Sequence, residues 1–280
     1  MTHLSAQTGP LAPAAMARAT AILSRPRLMA WGCIAILAAA GWVFLLLTAL
    51  APGPEGLSGF LDAICRPVPT ASSGFGIAPI VGVMWVAMTL GMMLPTAGPM
   101  ILTYAEIAET AARKGEHIVL PHVLIAGYLS VWLGFAFFAT LAQLGVMAVA
   151  EWPGVAGIAI PASALLFVLA GLYQFSTLKQ ACLTACQRPF SFFFLNWTDR
   201  TLGVFRLGVK QGLYCLGCCI AMMLLMFAAG AMNLVWMALL GLVMMIEKMT
   251  ATRHFSRAIG IALVAAGLAI LIGWGSEFVS

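Results

Sequence analysis

Long apolar stretches recur along this chain with only short polar segments between them. About seven can be marked out: Leu28–Leu50, Pro79–Leu102, Pro121–Ala148, Val155–Gln174, Val209–Ala229, Asn233–Ile246 and Ala258–Trp274. Most reach the roughly 20 residues that carry a helix across the hydrocarbon core of a bilayer. Only 8% of the 280 residues are charged and 62% are hydrophobic, whereas a soluble domain carries roughly a quarter charged residues. Such a chain cannot cover a water-facing surface, so the lipid bilayer is its expected partner and solvent. In lipid, backbone polar groups must be satisfied within the spanning element. The expected fold class is therefore all-α, a polytopic transmembrane helix bundle of about seven spans. The sixth segment is the shortest. It is closed by Glu247 and Lys248, and it crosses only if Met232 and Met249 lie at the interfaces.

Lys and Arg concentrate in cytoplasmic loops. With the N-terminus in the cytoplasm, thirteen of the 14 basic residues fall inside and Arg66 alone falls outside. The net charge of +5 is thereby absorbed by orientation, and nucleic acid is not an expected partner. The first segment could imitate a signal peptide ending at Ala49-Leu50-Ala51. It is longer than the usual 7–15-residue apolar region, so an uncleaved anchor is expected. Residues 1–27 read as a flexible cytoplasmic tail and 28–280 as one integral-membrane helical domain. An exterior loop spans 51–78 and a cytoplasmic cysteine-bearing loop spans 175–208. The stretch "YAEIAETAARKGEHI" is helical in character, with Glu109 and Arg113 at an i,i+4 spacing.

Five of the 7 cysteines cluster in two helical groups on the expected cytoplasmic side. Cys33 and Cys65 stand apart and read as packing and loop thiols. Cytosolic thiols stay reduced, which disfavours a disulfide framework. If the fourth helix runs on, Gln174, Leu178, Cys182 and Cys186 share one face, and Pro189 ends it. Cys215, Cys218 and Cys219 recur at i, i+3 and i+4, and Met222 and Met226 extend their stripe. Two cysteines from each group would suit a tetrahedral zinc site. Two or three would suit Cu(I), a soft ion that thiolate and thioether ligands select. Met88 and Met92, with Met84, form a second sulfur stripe beside Pro95 and Pro99, which interrupt their helix. Glu247 is a further candidate ligand or an interfacial anchor, and Lys179 and Lys248 could balance thiolates. His117, His122 and His254 lack ligand spacing and read as surface groups. Two alternatives stay open. The cysteines could exchange disulfides as a membrane thiol oxidoreductase, which needs an electron partner. They could also simply pack in a structural subunit, since small residues suit close helix contacts. No nucleotide loop, hydrolytic triad or paired catalytic carboxylates appear, and no catalytic residue is expected.

The segments "MWVAMTLGMMLPTAGPM", "YQFSTLKQACLTACQRP", "GLYCLGCCIAMM" and "GAMNLVWMALLGLVMMIEK" resemble a bacterial family of predicted metal-binding integral membrane proteins. The resemblance runs from about Val83 to Gly267. It implies a multi-span bundle in the inner membrane with a metal site at Cys182, Cys186, Cys215, Cys218 and Cys219. This chain departs from that pattern at Asn196 and Gln211, where histidines are expected, and at Ile220, where a tryptophan is. The departures favour an all-sulfur Cu(I) site over a mixed zinc site. A metal donor or acceptor protein is then the expected partner.

Overall fold

An apolar chain denied water satisfies its backbone locally, and every described element is helical. The computed structural model describes residues 26–49, 78–150, 152, 156–228, 234–250 and 252–279. The elements are α1 (Pro26–Ala49), α2 (Ala78–Met88), a π-helical turn (Thr89–Met93), α3 (Leu94–Thr96), α4 (Gly98–Arg113), α5 (Pro121–Ala150), α6 (Ala156–Tyr173), α7 (Thr177–Gln187), α8 (Pro189–Asn196), α9 (Thr201–Ala228), α10 (Leu234–Met249) and α11 (Arg253–Val279). Most of the expected N-terminal tail, nearly all of the exterior loop, Cys65 and Asn233 lie outside the described residues. Cys33 falls within α1.

Four segments are long and apolar enough to cross a membrane: Ala78–Thr96, Pro121–Val149, Thr201–Ala228 and Arg253–Trp274. A fifth arises if Gly157–Tyr173 and Thr177–Gln187, bent by 63°, count together. The described structure thus carries four to five such spans. The helix α10 has 16 residues, about 24 Å of rise against a core of roughly 30 Å.

The centre of the bundle is α9 against α5. Their backbones approach closely because both lack side-chain bulk at the crossing. A Cβ on Gly127 would lie 2.2 Å from the Phe205 carbonyl oxygen, and one on Gly208 would lie 2.2 Å from that of Leu124. Packing by small residues is how helices associate where no hydrophobic drive separates them from lipid. The helix α11 lies on α6 in the same way, through Gly171, Gly260 and Gly267. Only 17% of the apolar window of α11 is buried, against 56% for α9. Trp85 on α2 stacks on Phe227 at 5.2 Å and meets Phe135 edge-on at 6.0 Å, joining α2, α9 and α5. Phe137, Phe138, Ile158 and Ile272 point outward, as a lipid-facing belt would.

The break at Pro95 has a local cause. Proline has no N–H to offer the carbonyl four residues back, here Gly91. The indole Nε1 of Trp42 donates to that carbonyl at 2.9 Å, across a contact that Gly41 keeps open. The Met93 carbonyl keeps its backbone bond from the Ala97 N–H at 3.1 Å and also accepts from Thr96 Oγ1 at 2.9 Å and Tyr128 Oη at 3.0 Å.

Candidate metal centre

The cysteine-bearing segment 175–208 is helical over most of its length. The chain turns after Tyr173, and α7 opens at Thr177 with the Ser176 hydroxyl accepting from the Lys179 N–H at 3.1 Å. The expected straight continuation of the fourth helix therefore fails, and with it the face shared by Gln174 and Leu178. Leu178 is 61% exposed, while Lys179, Cys182 and Leu183 are buried and Cys186 is half-buried. These inward positions keep the i, i+3, i+4, i+7 rhythm of one helical stripe, and Lys179 rather than Leu178 shares the face of Cys182 and Cys186. Pro189 does mark the end of α7, and it starts α8. The helix α9 begins at Thr201, two turns before the expected Val209.

Two side chains, Lys179 and Gln187, clamp α7 onto its neighbours. Lys179 Nζ pairs with Glu247 Oε1 at 2.6 Å and also donates to Gln174 Oε1. Ser256 Oγ donates to the same Glu247 oxygen. Gln187 Nε2 donates to the carbonyls of Glu247 at 2.9 Å and Thr250 at 2.8 Å. Lys179 and Glu247 are 0% and 3% exposed. The structure thus places Glu247 in a buried ion pair that joins α7, α10 and α11, with its carboxylate engaged by Lys179 and Ser256.

This clamp lays the α7 cysteines against α9. A Cβ on Gly217 would lie 2.7 Å from Cys182 Sγ, so the glycine admits the sulfur to the α9 backbone. Tyr173 Oη donates to the Gly217 carbonyl at 2.6 Å. Cys186 and Cys215 line one small cavity between the two helices. Cys218 Sγ donates to the Cys215 carbonyl at 3.1 Å. The Cys218 and Cys219 sulfurs are 3.5 Å apart. Two sulfurs bound at 2.3 Å to one tetrahedral ion would be about 3.8 Å apart, so a small shift would let the pair share an ion. Cys182, Cys186, Cys215, Cys218 and Cys219 are all free thiols.

Cys215 is the polar hub. Lys248 Nζ lies 2.9 Å from its sulfur and donates a second bond to Thr96 Oγ1 at 2.7 Å. Tyr128 Oη meets the same sulfur at 3.0 Å. Thr96, Tyr128, Cys186, Gln211, Cys215 and Lys248 line a cavity of about 10 Å³. Gln211 is 2% exposed and its Oε1 has no hydrogen-bond partner. Among the described residues, no group of three His, Cys, Asp or Glu side chains already converges as ligands of one ion. The thiols neighbour one another, and the cation held among them is the Lys248 ammonium.

The methionines divide by position. Met222 and Met226 are buried on α9 above the thiols. Met92 packs against Gly241 of α10, and Met88 is buried in the α2 core. Asn196 Nδ2 donates to the Phe192 carbonyl at 2.9 Å. His117 Nδ1 lies 3.2 Å from the Asp199 carbonyl oxygen, and His122 and His254 are exposed. Tyr128 and Thr96 were not legible as site residues. They arrive from other helices, Tyr128 outside the quoted segments and Thr96 inside one read for its methionines and prolines.

The described chain is all-helical and largely apolar, with a buried cluster of free thiols at its centre. The sequence model of the copper chaperone family PpoB2 matches residues 82–270, and the chain belongs to that family. The match covers the segment on which the sequence resemblance rests and carries it from an unspecified metal to copper. No curated protein and no solved structure matches the chain.

Proposed function

We propose that this protein is an integral membrane carrier of Cu(I), which it holds through cysteine sulfur and passes to a metalloprotein under assembly. The observation that carries the proposal is that Cys186 and Cys215 line one cavity, with Cys218 and Cys219 beside Cys215 on the same helix. Soft thiolates select Cu(I), and among the described residues no histidine or carboxylate forms a ligand group with them. In this proposal Cys215, Cys218 and Cys219 hold the ion. Cys186 and Cys182, on the surface-facing helix α7, receive or release it. Met222 and Met226 are accessory thioethers above the site, while Met88, Met92 and Glu247 shape its surroundings. The proposed setting is a bacterial inner membrane with seven crossings and the N-terminus inside. The apolar outer faces of α5, α6 and α11 support it.

Elemental analysis of detergent-purified protein prepared under reducing conditions tests the proposal. The expected result is about one equivalent of copper, lost when Cys182, Cys186, Cys215, Cys218 and Cys219 are all changed to Ser. Zinc in place of copper would favour a closed structural site. Folded wild-type protein that takes up no metal on reconstitution would sink the carrier proposal. A trapped mixed disulfide between α7 and α9 would instead support thiol exchange.

A further inference from the structure

Lys248 is a cation already seated where a metal-bound thiolate is needed. Its ammonium has three N–H donors, and two are engaged, by Thr96 Oγ1 and Cys215 Sγ. Across the same cavity lies Gln211 Oε1, a buried acceptor with no donor. A buried unsatisfied carbonyl costs free energy, so its presence on the cavity that Lys248 also lines calls for an explanation. The cavity is about the volume of one water molecule. Lys248 and Gln211 both line it, so the space between them belongs to this cavity.

We infer that Lys248 is a two-position latch that pairs with Cys215 when the site is free of metal and swings to Gln211 when Cu(I) takes that sulfur. The first position compensates a thiolate that would otherwise be costly inside the bundle. The second supplies the donor that Gln211 lacks, so the displaced charge stays hydrogen-bonded and never has to leave the interior. Thr96 is bonded in both positions and serves as the pivot. Gln211 and Lys248 are positioning residues here. The sulfurs hold the ion, and these two set how readily Cys215 is released to it.

The inference rests on Cu(I) binding at Cys215, and the experiment separates the two. Cu(I) affinity is measured by competition with a chromophoric Cu(I) chelator for wild type, Gln211→Met, Lys248→Met and the double variant. Thermal unfolding of each metal-free protein is followed in parallel. Gln211→Met is expected to weaken Cu(I) binding about tenfold, the worth of one hydrogen bond to a charged group. Metal-free stability should be unchanged or raised, because an unpaired acceptor has been removed. In the Lys248→Met background the same substitution should do nothing further, since no ammonium remains to be received. Gln211→Glu, which restores an acceptor oxygen, should bind at least as tightly as wild type. Equal affinity of wild type and Gln211→Met, or a loss that persists without Lys248, would overturn the latch while leaving the copper site standing. Failure of wild type to bind Cu(I) would instead remove the carrier proposal itself.

Discussion

At the scale of single residues, the interior is governed by two lysines with different duties. Lys179 is fixed in a buried ion pair with Glu247, and Lys248 is bonded to a thiol. Removing one partner of a buried pair leaves an uncompensated charge and costs about 3–5 kcal/mol. Lys179→Met should therefore lower the thermal midpoint sharply. Lys179→Met combined with Glu247→Gln should recover much of the loss, and equal midpoints for the single and double variants would refute the pairing as a stability element. In sequence both lysines read as inside charges able to balance thiolates; Lys248 does lie on a thiol, whereas Lys179 pairs with a carboxylate. What betrays them is the partner, and the partners lie 68 and 33 positions away in sequence. The cysteines were legible as a group because thiols in helical spacing are rare enough to stand out. Gln211 was visible only as a departure from a pattern. Tyr128 and Thr96 were not visible at all, since a lone hydroxyl in an apolar helix carries no periodicity.

At the scale of elements, glycine spacing and proline position decide how the helices meet. Gly208→Ala would push a methyl to 2.2 Å from the Leu124 carbonyl oxygen, which the backbone cannot yield cheaply. Overpacking of this kind costs about 1–3 kcal/mol. Gly134→Ala, on α5 with nothing within 4 Å, is the control and should be neutral or mildly stabilising through helix propensity. Unfolding in mild detergent measures both, and equal effects would argue that the α5–α9 crossing is looser than described. The helices themselves were readable from apolar runs, and Pro95 announced the break in the second. The turn between α6 and α7 was not readable, because Gln174, Phe175 and Ser176 include neither Gly nor Pro. The Ser176 cap on Lys179 fits a local start signal of the usual Ser/Thr/Asp/Asn kind. An apparent four-residue rhythm through Leu178 obscured it.

At the scale of the whole molecule, the membrane setting rests on helix length and outward apolar faces. Seven crossings with the N-terminus inside would put the C-terminus outside. A reporter enzyme active only outside the cytoplasm, fused after residue 280, should be active, whereas the same fusion at Gly115 should be silent. Activity at both sites, or silence at the C-terminus, would require a different number of crossings. The helical class could be read from composition alone, while the span count could not. The sixth segment is too short by itself, and the fourth bends by 63° where it should leave the membrane.

The shallow seating of α11 has a consequence for how this chain can drift over time. Most of its surface faces away from the bundle, so one apolar residue there should serve about as well as another. The constraint narrows to few points: Gly260 and Gly267, where a neighbouring backbone leaves no room for a side chain, and Ser256, whose hydroxyl reaches Glu247. In a saturation library selected for copper-dependent growth, α11 should accept nearly any hydrophobic exchange on its outer face while tolerating almost nothing at those three positions.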